Sequence, residues 1–366
     1  MQKRTVWLLL VVVIFVGTST IVGFYGLRNV VANRLDFIYF ARGTQLSKQE
    51  ADKLEKDLKR DPGSFADRME LLAFYGFKIY KAGLTPEEIA SRREHTLWVI
   101  RNQPTSNLAG RFEAAFDGDT LDPDGVQQAK TLWSHLVEQE PNDAIILYNA
   151  GKFFSWVDDW QKSEELIERA FAVAPDNHEI ASSLGGLYWR DARHASTPEK
   201  SKSMADRALK VYERALRDTH EPRERLRDLP NAAQAAFESG DYELAAAYSR
   251  EGLTLALDPE YVASNADAIH YGNIVLGRIA LRRGDMGVAS AHLLKAAEVR
   301  DSPHLATFGP NMMLARELLE NGERKSVLEY FDLCGKFWTS DERKLSHWRA
   351  SVLSGGVPDF GANLHY

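Results

Sequence analysis

Residues 144–175, AIILYNAGKFFSWVDDWQKSEELIERAFAVAP, decide the fold. In the first half, Leu147, Ala150, Gly151 and Phe154 recur at steps of three and four, so one face of a helix carries them all. Ala150 and Gly151 are small enough to let a partner helix approach closely. Asp158 and Asp159 suit a turn and the start of a second helix, because negative charge is favourable in a first helical turn. Trp160 then leads a stretch in which Ser163, Leu166, Ile167, Ala170 and Phe171 fit a single stripe. Pro175 ends the unit, since its ring removes a backbone donor. One such unit alone reads equally well as two ordinary amphipathic helices. Recurrence decides between the two.

A second copy places Leu184, Gly185 and Tyr188 in its first helix and Ala208, Tyr212 and Ala215 in its second, with Pro222 closing it. Extra sequence from Arg193 to Ser203, containing Thr197 and Pro198, predicts an enlarged connection between those two helices. A third copy has Gly240, Asp241 and Tyr242 at its turn, then Ala245, Gly252 and Leu253, with Pro259 after it. A fourth has Leu276, Gly277 and Ala280, then Gly284, Asp285, Ala289, Leu293 and Ala296, ending near Pro303. The fifth shows Leu314, Ala315, Leu318, Gly322, Val327, Phe331 and Cys334. Chance rarely produces such repetition.

Over residues 142–338 these units resemble the tetratricopeptide repeat (TPR) family, most specifically at the small and aromatic positions. The family's early tryptophan is absent, its place being taken by Leu147, Ala181, Leu229, Asn273 and Asn311. The resemblance implies an all-α solenoid of stacked helical hairpins that binds other polypeptides and carries no chemistry of its own. In such solenoids the first helix of each pair lines the concave side. This places Tyr148, Asn149, Lys152, Trp156, Trp189, Arg190, Phe237, Tyr271, Arg278, Arg282 and Arg316 on a protein-binding groove. Aromatic and basic side chains of this kind suit an acidic segment or a free C-terminus. Asn149 and Lys152 also sit where carboxylate-gripping members of the family place asparagine and a polar partner, although the rest of that clamp is missing. From Asn311 to Tyr366 the chain resembles the C-terminal end of certain bacterial TPR proteins of uncharacterised role. The resemblance there rests on Gly309-Pro310-Asn311, Val327 to Phe331, Lys336-Phe337-Trp338, Trp348 and the run from Val357 to Leu364.

Five segments follow: a tail and transmembrane anchor (1–27), a juxtamembrane linker helix (28–60), divergent helical repeats (61–141), TPR-like repeats (142–338), and a C-terminal cap and tail (339–366). The divergent repeats are inferred from the unit ends Asp61-Pro62, Gln103-Pro104 and Glu140-Pro141. These flank expected helices over Phe65–Lys81 and Pro86–Asn102. A small unrelated helical cap is the competing expectation. In the linker, Ser47–Arg60 reads as a charged helix with Leu54 and Leu58 on one side. In the tail, Phe360 and Leu364 are expected to cover the apolar face of the last hairpin, because terminal repeats need protection.

Val6–Leu27 is uncharged over 22 residues, about 33 Å as a helix and enough to span a bilayer's hydrocarbon core. Trp7 and Tyr25 near its ends favour the interface. A cleavable signal peptide is the rival, with Lys3 and Arg4 as its basic start. Apolar sequence resumes at Ile21, however, and no Ala-x-Ala site occurs, which favours an uncleaved anchor. Lys3 and Arg4 lie before the span; Arg28, Arg34 and Arg42 lie after it. The short basic tail held in the cytoplasm puts the repeats on the periplasmic or extracytoplasmic side of the cytoplasmic (inner) membrane, in a single-pass topology.

Net charge is −7 and the pI about 5.9, with both signs interspersed, so no basic field for nucleic acid is present. Cys334 is the only cysteine, which excludes an intrachain disulfide and a cysteine-based metal site; it is expected to be a buried, inert thiol. The sequence has no HExxH, GxSxG, GxGxxG or calcium-loop pattern, and its ten histidines are scattered. No catalytic, cofactor or metal residues are assigned. The function that follows is a non-catalytic, membrane-anchored scaffold that binds or tethers proteins at the cell envelope. Two alternatives stay open. One is an enzyme with a dispersed site, near Arg193–Ser203 or Gly355–Tyr366. The other is a self-associating structural solenoid.

Overall fold

The computed structural model describes residues 38–111, 121–258, 260–261, 265–299 and 302–365, and among these every regular element is helical. The segment Val6–Leu27 lies outside the described residues. No described helix is long and apolar enough to cross a membrane. Contacts divide the chain into two compact units, Met1–Ala170 and Phe171–Tyr366.

The first unit contains α1 (Lys48–Leu58), α2 (Phe65–Ala82), α3 (Pro86–Asn102), a 3-10 turn (Asn107–Gly110), α4 (Pro123–Gln139), α5 (Ala144–Trp156) and most of α6 (Trp160–Val173). Its helix starts are written locally. Ser47 with Glu50, and Thr85 with Glu88, form reciprocal capping boxes, and Pro86 occupies the first turn of α3, where its missing N–H has no cost. The expected helices over Phe65–Lys81 and Pro86–Asn102 therefore appear almost residue for residue. The charged helix expected over Ser47–Arg60 is α1, which packs on α2 with Ala51 and Leu58 against Leu71 and Tyr75. Behind this apolar contact, Glu55 accepts from the Tyr75 hydroxyl (2.6 Å) and pairs with His95 (3.0 Å), while Arg68 donates to the other His95 nitrogen (2.7 Å). These bonds satisfy polar groups that would otherwise be buried without partners.

In the α5/α6 hairpin, a Cβ added to Gly151 would lie 2.5 Å from the Ile167 side chain, so the small residue is what brings the helices this close. Asp158 takes a left-handed backbone (φ 57°) and Asp159 accepts from the Lys162 N–H (3.2 Å). The aspartate pair thus makes the turn and starts the helix.

The second unit stacks four hairpins: α7 (His178–Arg193) with α8 (Pro198–Asp218), α9 (Pro222–Ser239) with α10 (Tyr242–Leu255), α11 (Ala266–Arg282) with α12 (Met286–Ala296), and α14 (Met313–Glu320) with α15 (Lys325–Cys334). The short α13 (Pro303–Phe308) precedes the last pair, and α16 (Glu342–Leu353) follows it. Gly240 and Gly284 adopt φ of 92° and 80°, and the aspartate after each caps the next helix. This is the physical content of the repeated Gly-Asp signature. Successive first helices also touch: α7 meets α9, α9 meets α11, and α11 meets α14. They form one wall of this unit.

Two expectations are corrected here. The extra sequence Arg193–Ser203 does not enlarge the connection: His194–Thr197 alone makes the turn, and the remainder winds into α8, which runs to 21 residues against 14 for α10. Thr197 accepts from the Lys200 N–H and Pro198 fills the first helical position, so residues read as loop formers act as a helix start. Pro222 and Pro303 likewise open α9 and α13 rather than only closing the preceding unit.

The tail caps the last hairpin, as its apolar residues imply. Phe360 is buried against Phe331 and Trp348, Leu364 packs on the same cluster, and the Trp348 indole donates to the Asp359 carbonyl (3.1 Å). Asn363 fastens it further, donating to the carbonyls of Phe308 and Pro310 and accepting from the Met312 N–H (2.8 Å) through its own carbonyl. Cys334 is fully enclosed in this core, and burial pushes its thiol far above the usual range.

Candidate functional site

On the wall of first helices in the second unit, α9 carries Arg223, Arg227 and Asn231 at steps of four, with Leu226 and Pro230 between them. Pro230 lies inside the helix, where it cannot donate to the carbonyl of Leu226. Alongside stand Arg193 at the end of α7, Asp267 and Tyr271 one turn apart on α11, and His304 on α13. Together these residues line a concavity of about 500 Å³. Three guanidinium groups face one carboxylate there, so the lining is basic although the chain is acidic overall.

The charges are held differently. Asp267 pairs with His304 (3.3 Å). Arg227 reaches Asp228 (3.2 Å); burial works against its charge, but Asp228, aided by Glu179 and Glu224, more than offsets the cost and the Arg227 pKa rises. Asp228 is itself buried and joins α9 to α7 by accepting from Ser182 (2.6 Å) and pairing with His178 (2.9 Å). Arg223 extends toward Glu260 at 3.9 Å. Arg193 donates to the His365 carbonyl (2.5 Å), and burial depresses its pKa.

Of the eleven residues expected on a groove, the structure brings Tyr271 to this concavity. Trp189 and Arg190 lie within the preceding turn of α7 from Arg193; Trp189 is buried, and Arg190 pairs with Asp191 (2.6 Å). Phe237, Arg278, Arg282 and Arg316 do not join them. Arg278 is buried with Glu317 (2.8 Å) and Glu238 (2.7 Å), and stacks over Phe237 at 4.1 Å. Burial opposes its charge, yet the two carboxylates raise its pKa. Arg282 reaches the same Glu317 at 3.5 Å, and Arg316 pairs with Glu320 at 3.7 Å. What reads as a basic docking surface is therefore, at Arg278, an internal clamp across α9, α11 and α14.

The first unit holds Tyr148, Asn149, Lys152 and Trp156, all on α5. Asn149 is 1% exposed, and its amide donates to the carbonyls of Pro104 (2.8 Å) and Ser106 (2.9 Å). The following 3-10 turn sits directly against it, so that a Cβ on Gly110 would collide with Asn149 and Lys152. Asn149 thus anchors a loop and does not face an open carboxylate-gripping site. Tyr148 is buried beneath the Lys152 ammonium, 4.3 Å from its ring, whereas Trp156 is 45% exposed.

Arg193, Arg223, Arg227, Pro230, Asn231, Asp267 and His304 escaped the repeat pattern. One signal was present: Arg223, Arg227 and Asn231 share a face of a helix whose interior proline breaks the usual pattern.

No protein-family model matches the chain, and no curated protein matches it. Several solved structures are similar in fold. PilW, described as a widely conserved type IV pilus biogenesis factor, aligns at 16% identity over 74% of this chain and 100% of its own, with a TM-score of 0.40. A thermophilic TPR protein from Thermus thermophilus aligns at 21% identity over 53% of this chain and 91% of its own, with a TM-score of 0.34. The human IFIT1 dimer solved with PPP-AAAA aligns at 16% identity over 84% of this chain and 68% of its own, with a TM-score of 0.44. Of the three, the Thermus thermophilus protein is the one described as a TPR protein.

Proposed function

We propose that this chain is a non-catalytic scaffold that holds another polypeptide against the first-helix wall of its second unit. The basic concavity around Arg193, Arg223, Arg227 and Tyr271 carries this reading. Its floor of Leu226, Pro230 and the Tyr271 ring suits apolar side chains, while its guanidinium groups suit the carboxylates of an acidic or C-terminal segment. A stack of hairpins supplies such a wall without needing a single enclosed pocket.

The apolar run Val6–Leu27 would tether the scaffold to the cytoplasmic membrane, with the repeats on the periplasmic or extracytoplasmic side. Alkaline phosphatase fused after residue 60 tests that topology. An inactive fusion beside an active cytoplasmic reporter at the same site reverses it.

The docking reading is tested by placing a photo-crosslinking residue at Asn231 and, as a control, at Tyr248 on the second helix of the same hairpin. A discrete crosslinked protein at Asn231, abolished by Arg223→Glu with Arg227→Glu, is the expected result. Equal crosslinking from both positions, or indifference to the charge reversal, refutes it.

A further inference from the structure

Each arginine on the wall of first helices but one has an acidic partner among the described residues. Arg190 has Asp191, Arg223 has Glu260, Arg227 has Asp228, and Arg278 has Glu238 and Glu317. Arg193 has none among the described residues: Nη1 donates to the His365 carbonyl, and Nε is enclosed without an acceptor. Its guanidinium lies 5.9 Å from the centre of the Trp189 ring, and the neighbouring Arg190 charge is repulsive. Arg193 is partly buried, and holding its guanidinium there with no counter-ion among the described residues carries a desolvation cost that the fold bears before any ligand arrives. An anion that reaches it gains the attraction without repeating the desolvation of the cation.

We infer that Arg193 is the receptor for one side-chain carboxylate of an acidic polypeptide segment laid in the concavity, an assignment that rests on the docking reading above. The surroundings select that chemistry. Asp267 on the rim disfavours a multiply charged group, whereas a single carboxylate matches one guanidinium. Leu226, Pro230 and Tyr271 offer apolar contact to the residues flanking it. Arg223 and Arg227, already paired, contribute a field and not the direct bond.

The test follows the Arg193 Nε–H resonance in the 15N-labelled full chain, assigned by its loss in Arg193→Lys. The probes are an acetylated, amidated decapeptide of alternating Glu and Leu, its Gln-for-Glu counterpart, and inorganic phosphate. The expected result is a saturable shift with the Glu peptide alone, and an affinity that falls about tenfold to a hundredfold in Arg193→Gln with unchanged circular dichroism. Arg193→Lys, which keeps the charge but loses the planar fork, should fall between them. Unchanged affinity in Arg193→Gln overturns the assignment, as do no shift with the Glu peptide and an equal shift with phosphate. Should crosslinking at Asn231 persist in any of those cases, the docking reading stands and only the carboxylate receptor falls.

Discussion

Acidification should weaken the second unit through one residue, His270. This imidazole is fully buried on α11; its Nδ1 lies 2.8 Å from the Ala296 carbonyl, and its Nε2 accepts the Asn311 N–H at 2.9 Å. That pairing fixes the neutral form with the proton on Nδ1, because a second ring N–H would confront the Asn311 donor. Burial pushes the pKa down from 6.5 to about 4. In the unfolded chain the ring takes up a proton as pH falls through 6.5, but in the folded chain it does so only near 4. The unfolded state therefore binds more protons across that window, and stability present above pH 6.5 is lost on descending to pH 4. At roughly 1.4 kcal/mol per pH unit, the loss is about 3 kcal/mol. Urea denaturation of the full chain at intervals from pH 7.5 to 4, compared with His270→Asn, measures it. The variant should be weaker at neutral pH yet lose about 3 kcal/mol less across the window. Parallel pH profiles, or an NMR titration midpoint near 6.5 in the folded protein, would refute the mechanism.

Further outcomes follow from the same packing. Arg278→Ala should cost about 3 kcal/mol because it leaves buried Glu317 only the longer contact to Arg282, while adding Glu317→Ala should recover part of that loss in denaturant titrations. Cys334 should resist a maleimide in the native chain and react fully in denaturant, as mass spectrometry would show; native labelling would contradict its burial. Thr197→Ala should destabilise the chain by about 1 kcal/mol, since α8 then starts without its cap, and an unchanged melting temperature would argue against the long helix. Phe360→Ala should cost about 3–5 kcal/mol and make sedimentation concentration-dependent by uncovering the last hairpin.

The hairpins were legible in the sequence because their determinants are local. A small residue at Gly151, a capping residue at Thr85 or a Gly-Asp turn at 240–241 acts within a few positions of itself, whatever the rest of the chain does. Polar side chains on the wall were not legible in the same way. Whether Arg278 meets solvent or Glu317 depends on the register of α11 against α14, 39 residues apart, and Asn149 is claimed by a loop 43 residues upstream. Local pattern likewise could not separate turn from cap at Thr197-Pro198, since the same two residues favour either.

The fastened tail has a consequence for assembly. A stack of hairpins can in principle grow without limit, each new pair seating on the exposed flank of the one before it. Here Phe360 and Leu364 pack on the apolar cluster of the last hairpin and α16, and Asn363 ties the tail to the carbonyls of Phe308 and Pro310, so that apolar surface is not left open for a further pair. The apolar cluster at that end of the second unit is thereby covered, so self-association through it would first have to displace the tail.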